Sequence, residues 1–347
     1  MTHDIDNAFD AEWYIKEYPD VPLSGFTPAE HYQTIGKPLG RMPGPTASSL
    51  ITNVRHVFIK NYKLSSRDEV ALLVTHASGG RLRPHVLPYM KQFKATGFSV
   101  ILIVVVDHPL EILDEELSTA DTIIVRDNAG YDFGAWAHAF TLLPALFDTR
   151  LLIMTNDSVI STTNAEAFQA MISKVRASKT DISGLTANHE YGWHVQSYFL
   201  AIKRKALLSS AFRDFIKNIR RIDDKDQVIR EYEIPLATKM QRGGLTIEAL
   251  YHGPYPNNPV IWSWRELIES GFPFIKLLLL RKVMGTFTDD NEMLNDLHEN
   301  WPSVLEAAGF DIRLIRNAIR AADMAWIPGG PNSNLIQNFG VRDKIQL

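Results

Sequence analysis

The apolar run opening at Arg150, RLLIMTNDSVIST, stops abruptly in Thr155-Asn156-Asp157-Ser158. A carboxylate at the end of a buried strand is a hard oxygen ligand. A divalent cation held there would neutralise charge building up on a departing phosphate. Asp157 is therefore a candidate metal ligand, with Asn156 and Ser158 as polar support. The plainer alternative is a solvated strand end that caps the next helix, and a lone aspartate does not separate the two. Polar groups close three other apolar runs in the same way: Thr75-His76, Asp107-His108 and Asp127-Asn128.

The stretch VRDNAGYDFGAWAHAF adds geometry. Gly130 and Gly134 bracket Tyr131-Asp132-Phe133, which reads as a tight loop opening an aromatic-rich helix. Glycine permits a close backbone approach to a ligand, and unpaired N–H groups at a helix start attract anions. A turn closed by Asn128 and Gly130, with Asp132 as a helix cap, fits these residues equally well. In YGWHVQSYFLAI, the residues Trp193, His194, Gln196 and Ser197 could wall a sugar, since aromatic faces stack on sugar rings; Trp193 could equally be core. His252 follows a short strand in ALYHGPYPNNP, where a loop histidine is ordinarily a surface residue.

These residues need a scaffold, and its pattern is α/β. EVALLVTHA, SVILIVVVD, ADTIIVRD and RLLIMT read as strands, the second rich enough in β-branched residues to be buried on both faces. Helical patterns alternate with them: RPHVLPYMKQFKATG ending at Gly97, FGAWAHAFTLLPALF despite Pro144, and TNAEAFQAMISKVRAS with a Thr163-x-x-Glu166 capping box. Alternation of this kind predicts a mostly parallel sheet flanked by helices, with ligands at the carboxyl ends of its strands. The polar clusters fall at those ends. Residues 1–49 form an aromatic-bearing helical module that closes in a Pro/Gly linker. Residues 50–285 form the α/β domain, and 286–347 a helical extension with a Gly/Pro/Asn-rich, loosely ordered tail.

Composition excludes much. In 347 residues there is no cysteine, so disulfides, thiolate zinc sites and cysteine nucleophiles are absent, which fits a reducing compartment. A net charge of −4 argues against a broad nucleic-acid surface. There is no P-loop, no Gly-x-Gly-x-x-Gly after the first strand and no Gly-x-Ser-x-Gly elbow. His189 and His194 are five apart, where two zinc ligands on one helical face need a spacing of four. The N-terminus lacks the order of a signal peptide and the longest apolar run is too short for a bilayer, so a cytoplasmic location is expected. GFPFIKLLLLRKVMG, with Lys276, Arg281 and Lys282, is either a buried helix with solvated ends or a peripheral contact with the inner face of a membrane.

Four motifs, RDNAGYDFGAW, LLIMTNDSV, HVQSYFLAI and NNPVIWSWRELIESGFPFIK, together resemble the rhamnan synthesis protein F family, in that family's order and across roughly residues 70 to 282. The resemblance implies an inverting glycosyltransferase with one nucleotide-binding α/β domain, the A-type fold, using Mg2+ or Mn2+. It implies a nucleotide-sugar donor, expected to be dTDP-rhamnose, and a cell-surface polysaccharide or lipid-linked glycan acceptor. Carried over residue by residue, Thr75-His76-Ala77 falls near the nucleotide base and Asp107 at the base or ribose. Asn128, Gly130, Asp132, Asn156 and Ser158 surround the nucleotide sugar, and Asp157 and His252 hold the metal and diphosphate. The family's Asp-x-Asp matches Thr155-Asn156-Asp157, in which only the second carboxylate survives. An acidic residue before a Leu, followed eight residues later by Gly, maps through Leu236 and Gly244 onto Glu233 as catalytic base; Glu231, Asp226 and Asp224 are in reserve. The competing role for Glu233 is a favourable charge at a helix start. A non-catalytic, glycan-binding scaffold and a transferase for a hexose or aminosugar are the rival functions.

Overall fold

The computed structural model describes residues 9–44, 51–77, 79–283 and 300–323. In chain order its strands are β1 (His56–Lys60), β2 (Glu69–His76), β3 (Ser99–Val106), β4 (Thr122–Asp127), β5 (Leu151–Asn156) and β6 (Val159–Ser161). They continue with β7 (Ile182–Gly184), β8 (Ala187–Asn188), β9 (His194–Val195), β10 (Phe199–Lys203), β11 (Ile247–Ala249) and β12 (Phe274–Lys276). Eight of them form one sheet in the order β1-β4-β3-β2-β5-β10-β7-β11. The central four, β4-β3-β2-β5, run parallel. β1 joins β4 and β10 joins β5 antiparallel, whereas β11 is parallel to β7. The expected mostly parallel, helix-flanked sheet is the fold.

Strand side chains alternate between faces, and both faces here are apolar. Ala71, Leu73, Leu102, Val104 and Ile153 face one layer, with Tyr89 and Phe93 of the helix Val86–Ala95 and Phe168 and Met171 of the helix Ala165–Ala177. Val70, Leu72, Ile101, Ile103, Leu152 and Met154 face the other, with Phe133, Trp136 and Phe140 of the helix Tyr131–Leu142. Continuing that alternation past Met154 sends Thr155 and Asp157 toward the first layer and Asn156 toward the second. The site depends on this divergence.

Two local expectations are corrected. The α-helix Tyr131–Leu142 does not run through Pro144; it ends, and a 3-10 turn covers Pro144–Asp148. Proline lacks the N–H that the helix ladder needs and its ring clashes with the preceding turn. The Thr163/Glu166 capping box does not form either. Asn164 caps the helix, accepting from Glu166 N and Ala167 N, while Thr163 Oγ1 donates to the Gly309 carbonyl at 2.7 Å. Helices Trp301–Ala307 and Ile312–Asp323 follow. The helical expectation for 291–299 and the loose tail fall outside the described residues.

Near the N-terminus Tyr14, Tyr18 and Val21 bury one another with Phe9, Trp13 and Tyr32 around them. The segment bearing this cluster meets the rest of the chain at Gln227 Nε2, which donates to the Gly40 carbonyl at 3.0 Å, and at Lys239, whose Nζ is 3.9 Å from Glu17 Oε1.

Candidate functional site

A cleft of about 840 Å3 opens at the carboxyl edge of the sheet. Asp132, Asn156, Ser158, His194, Gln196, Ser197 and Glu233 line it, all of them anticipated from the sequence. The loop before the helix Tyr131–Leu142 explains how Asp132 arrives: Gly130 has φ +73 and sits as the helix N-cap. A Cβ there would come 3.2 Å from the Gly134 Cα, so glycine is required twice over. Asp132 Oδ2 accepts from Asn156 Nδ2 at 2.7 Å, while Asn156 Oδ1 accepts from the Ser158 N–H at 3.1 Å. Burial pushes the Asp132 carboxyl up to about 6, the Asp157 charge adds to that, and the Asn156 hydrogen bond opposes it.

Glu233 precedes the helix Ile234–Arg242, whose Pro235 occupies the first turn, as a proline can. Its Oε2 accepts from the Ser197 N–H at 3.0 Å and from the Ser197 hydroxyl, and its Oε1 is 3.8 Å from His194 Nε2. Two donors on one oxygen fix the carboxylate and leave the other oxygen for a proton. Behind Ser197 an amide wall is braced from several elements. Gln196 Nε2 donates to Asn258 Oδ1 at 3.1 Å, and the Asn258 N–H donates to Asn188 Oδ1 at 2.8 Å.

A second recess, about 370 Å3, lies across the 127–132 loop and is lined by Arg55, Asp107, Asp127, Asn128 and Arg221 among others. There Asp107 Oδ2 meets His76 Nε2 at 2.6 Å and accepts from Asn128 Nδ2 at 3.3 Å. The three strand ends picked out by composition thus form one network.

Other expectations do not hold as stated. Thr75 is fully buried and its hydroxyl donates to Asp157 Oδ2 at 2.6 Å, so it braces that carboxylate instead of meeting a nucleotide. Trp193 is outside the lining of the cleft; Tyr191, 88% exposed, stands at the rim. His252 is exposed and also outside the lining. The metal set does not fit. Asp157 Oδ2 accepts from Thr75 and from the His76 N–H, and Oδ1 pairs with Arg83 at 3.2 Å. Asn156 stands where the other carboxylate should be, and His252 does not join them. Among the described residues no group of three or more His, Cys, Asp or Glu side chains could hold a metal ion.

The sequence reading missed the cations. Arg83, Lys225, Arg230, Lys276 and Arg281 all line the cleft. Lys276 Nζ donates to Ser158 Oγ at 2.9 Å and lies 4.8 Å from the centre of the Tyr198 ring. Burial pushes its ammonium down to about 8, partly opposed by the Glu233, Asp132 and Asp157 charges. From the sequence, Lys276 and Arg281 are either the solvated basic ends of a buried helix or the cations of a membrane contact. In the structure Phe274, Ile275, Leu277, Leu279 and Leu280 are buried in the core, and both cations line the cleft. Among the described residues no helix is long and apolar enough to cross a membrane.

A family model described as rhamnan synthesis protein F matches residues 104–322, more than half of the chain. Among curated proteins, uncharacterized protein y4gN of Sinorhizobium fredii is 29% identical over 191 residues, 53% of this chain and 48% of that protein. Virulence protein VirA of Vibrio anguillarum is 25% identical over 207 residues, 49% of this chain and 66% of that protein. The chain therefore spans from about half to just under two thirds of the length of these relatives. Among solved structures, a protein described as a nucleotide-diphospho-sugar transferase from Desulfovibrio desulfuricans aligns with TM-score 0.31 at 12% identity, covering 70% of this chain and 100% of that one. Core-mannan synthase A from Aspergillus fumigatus, in a Mn/GDP form, aligns with TM-score 0.25 at 10% identity, covering 50% of this chain and 70% of that one. Neither likeness is close enough to carry residue positions across.

Proposed function

The chain belongs to the rhamnan synthesis protein F family, and from that membership we propose that its cleft transfers a sugar from a nucleoside diphosphate to a glycan hydroxyl with inversion. The donor is dTDP-rhamnose and the acceptor a cell-surface or lipid-linked glycan. The observation that carries this reading is the convergence of Glu233, Asp132, Asn156, Ser158 and Lys276 on one cleft from distant parts of the chain.

Glu233 is the base. With Oε2 held by Ser197, its Oε1 takes the proton of the acceptor hydroxyl as that oxygen attacks the anomeric carbon. The bond from that carbon to the diphosphate oxygen breaks and the electron pair leaves with the nucleotide. The products are the glycoside and the nucleoside diphosphate. The recess at Asp107 and Asn128, with His76 bonded to Asp107, takes the nucleoside, and the amide wall at Gln196, Asn188 and Asn258 takes hydroxyls of sugar or acceptor.

Glu233→Gln tests the assignment, because it keeps the shape and removes the base. Transfer should fall by roughly 10²- to 10⁴-fold, the usual worth of a positioned base, while dTDP affinity stays near that of the wild type. Wild-type turnover by the variant would remove Glu233 from the mechanism. The engaged Asp157 and the missing carboxylate at 156 favour one other reading, a degenerate transferase that scaffolds glycan assembly. Absence of any binding to dTDP, UDP and GDP supports that scaffold.

A further inference from the structure

The cleft carries a cation beside the position that Asp-x-Asp chemistry assigns to a metal. We propose that Lys276, seconded by Arg83, neutralises the departing diphosphate in place of a divalent cation, so that this chain works without one. The inference rests on the transferase reading above.

Register brings Lys276 there. β12 pairs antiparallel with β6, setting Lys276 opposite Val159, and the Leu277 N–H donates to the Ser158 carbonyl at 2.9 Å. The lysine is thereby fastened to the residue that follows Asp157. Its Nζ reaches Ser158 Oγ at 2.9 Å with the Tyr198 ring beneath it, and Arg83 stands on the same lining.

The residues that would ligate a metal are meanwhile committed elsewhere. Position 156 offers an amide whose nitrogen donates to Asp132, and both oxygens of Asp157 are engaged by Thr75, His76 and Arg83. Seating a dication there requires breaking the Arg83 pair and setting two positive charges beside an ammonium. The chemistry needs only positive charge and N–H donors aimed at the leaving oxygen. As the bond from the anomeric carbon breaks, its electron pair settles on the distal phosphate, and a prepositioned ammonium and guanidinium stabilise that charge without reorganising. A purely structural lysine would serve only as counter-ion to Asp132, Asp157 and Glu233, and would leave nucleotide affinity alone.

The test is calorimetric titration of the full chain with dTDP, UDP and GDP, first in EDTA and then with Mn2+. At least one diphosphate should bind equally in both buffers. Lys276→Met should weaken it about ten-fold or more, as loss of a charged hydrogen bond does, with Lys276→Arg restoring most of the affinity. The matching monophosphate should lose less. Binding that appears only with Mn2+, or a methionine variant that binds like the wild type, overturns the proposal and leaves the transferase reading standing. Failure of all three diphosphates in both buffers sinks that reading and this inference with it. The wild-type comparison of the two buffers decides the metal question even if the methionine variant does not fold.

Discussion

The recess at Asp107 and the cleft at Glu233 lie on either side of one loop and hold similar side chains in different media. In the recess the His76–Asp107 pair is 35% and 38% exposed, and Arg55 in the Arg55–Asp127 pair is 73% exposed. Water screens such pairs, and each is worth about 0–1 kcal/mol. In the cleft, burial moves Asp132 up and Lys276 down, each toward its neutral form. Residue type does not separate the two regions; access of water does. On the proposed function, the solvated recess would bind and release a polar nucleoside at little cost to the fold, and the cleft would use its desolvated charge for chemistry.

Asp132→Asn gives the largest expected effect of this contrast on stability. The wild-type carboxyl is raised from 3.8 to about 6 in the folded chain. A raised folded value means stability that is fully present below pH 4 and lost as pH rises through about 6. The variant should therefore gain up to roughly 3 kcal/mol over the wild type at pH 8 and nothing at pH 4, read by urea denaturation at both. An equal difference at the two pH values would mean that Asp132 is not desolvated.

Asn156→Asp should act in the opposite direction. It removes the donor to Asp132 Oδ2 and sets a second carboxylate beside the first. A cost of about 1–3 kcal/mol at pH 8, shrinking toward pH 5 as one carboxyl takes a proton, is the expected outcome in the same assay. Gain of Mn2+-dependent stability by this variant would show that one carboxylate was all the metal site lacked. In the recess Asp107→Asn should change stability by less than about 1 kcal/mol at any pH, because its partner is already solvated. A larger loss there would erase the distinction between the regions.

Much of this was readable in advance. Runs such as Val100–Val106 announce a doubly buried strand because both alternating sets are apolar, and four such strands with helices between them lead to a parallel sheet. The glycines at 130 and 134 announce a helix start at a close approach, and Pro235 announces the helix that follows Glu233. The short strands β6 to β9, β11 and β12 were not readable as pairs, since two or three residues carry no period. Their pairing is settled by what the large sheet leaves open.

Taken alone, the amino-acid sequence determined the layers of this protein and the strand ends where polar groups collect, because periodicity and turn chemistry act over neighbouring residues; Glu233 was singled out by the family resemblance. Only the tertiary structure decided that Asp157 turns to Arg83 while Asn156 turns to Asp132, and that Lys276 enters the cleft. Those outcomes depend on strand parity and on a three-residue strand finding its partner more than a hundred positions away, where charge and burial are shared across space.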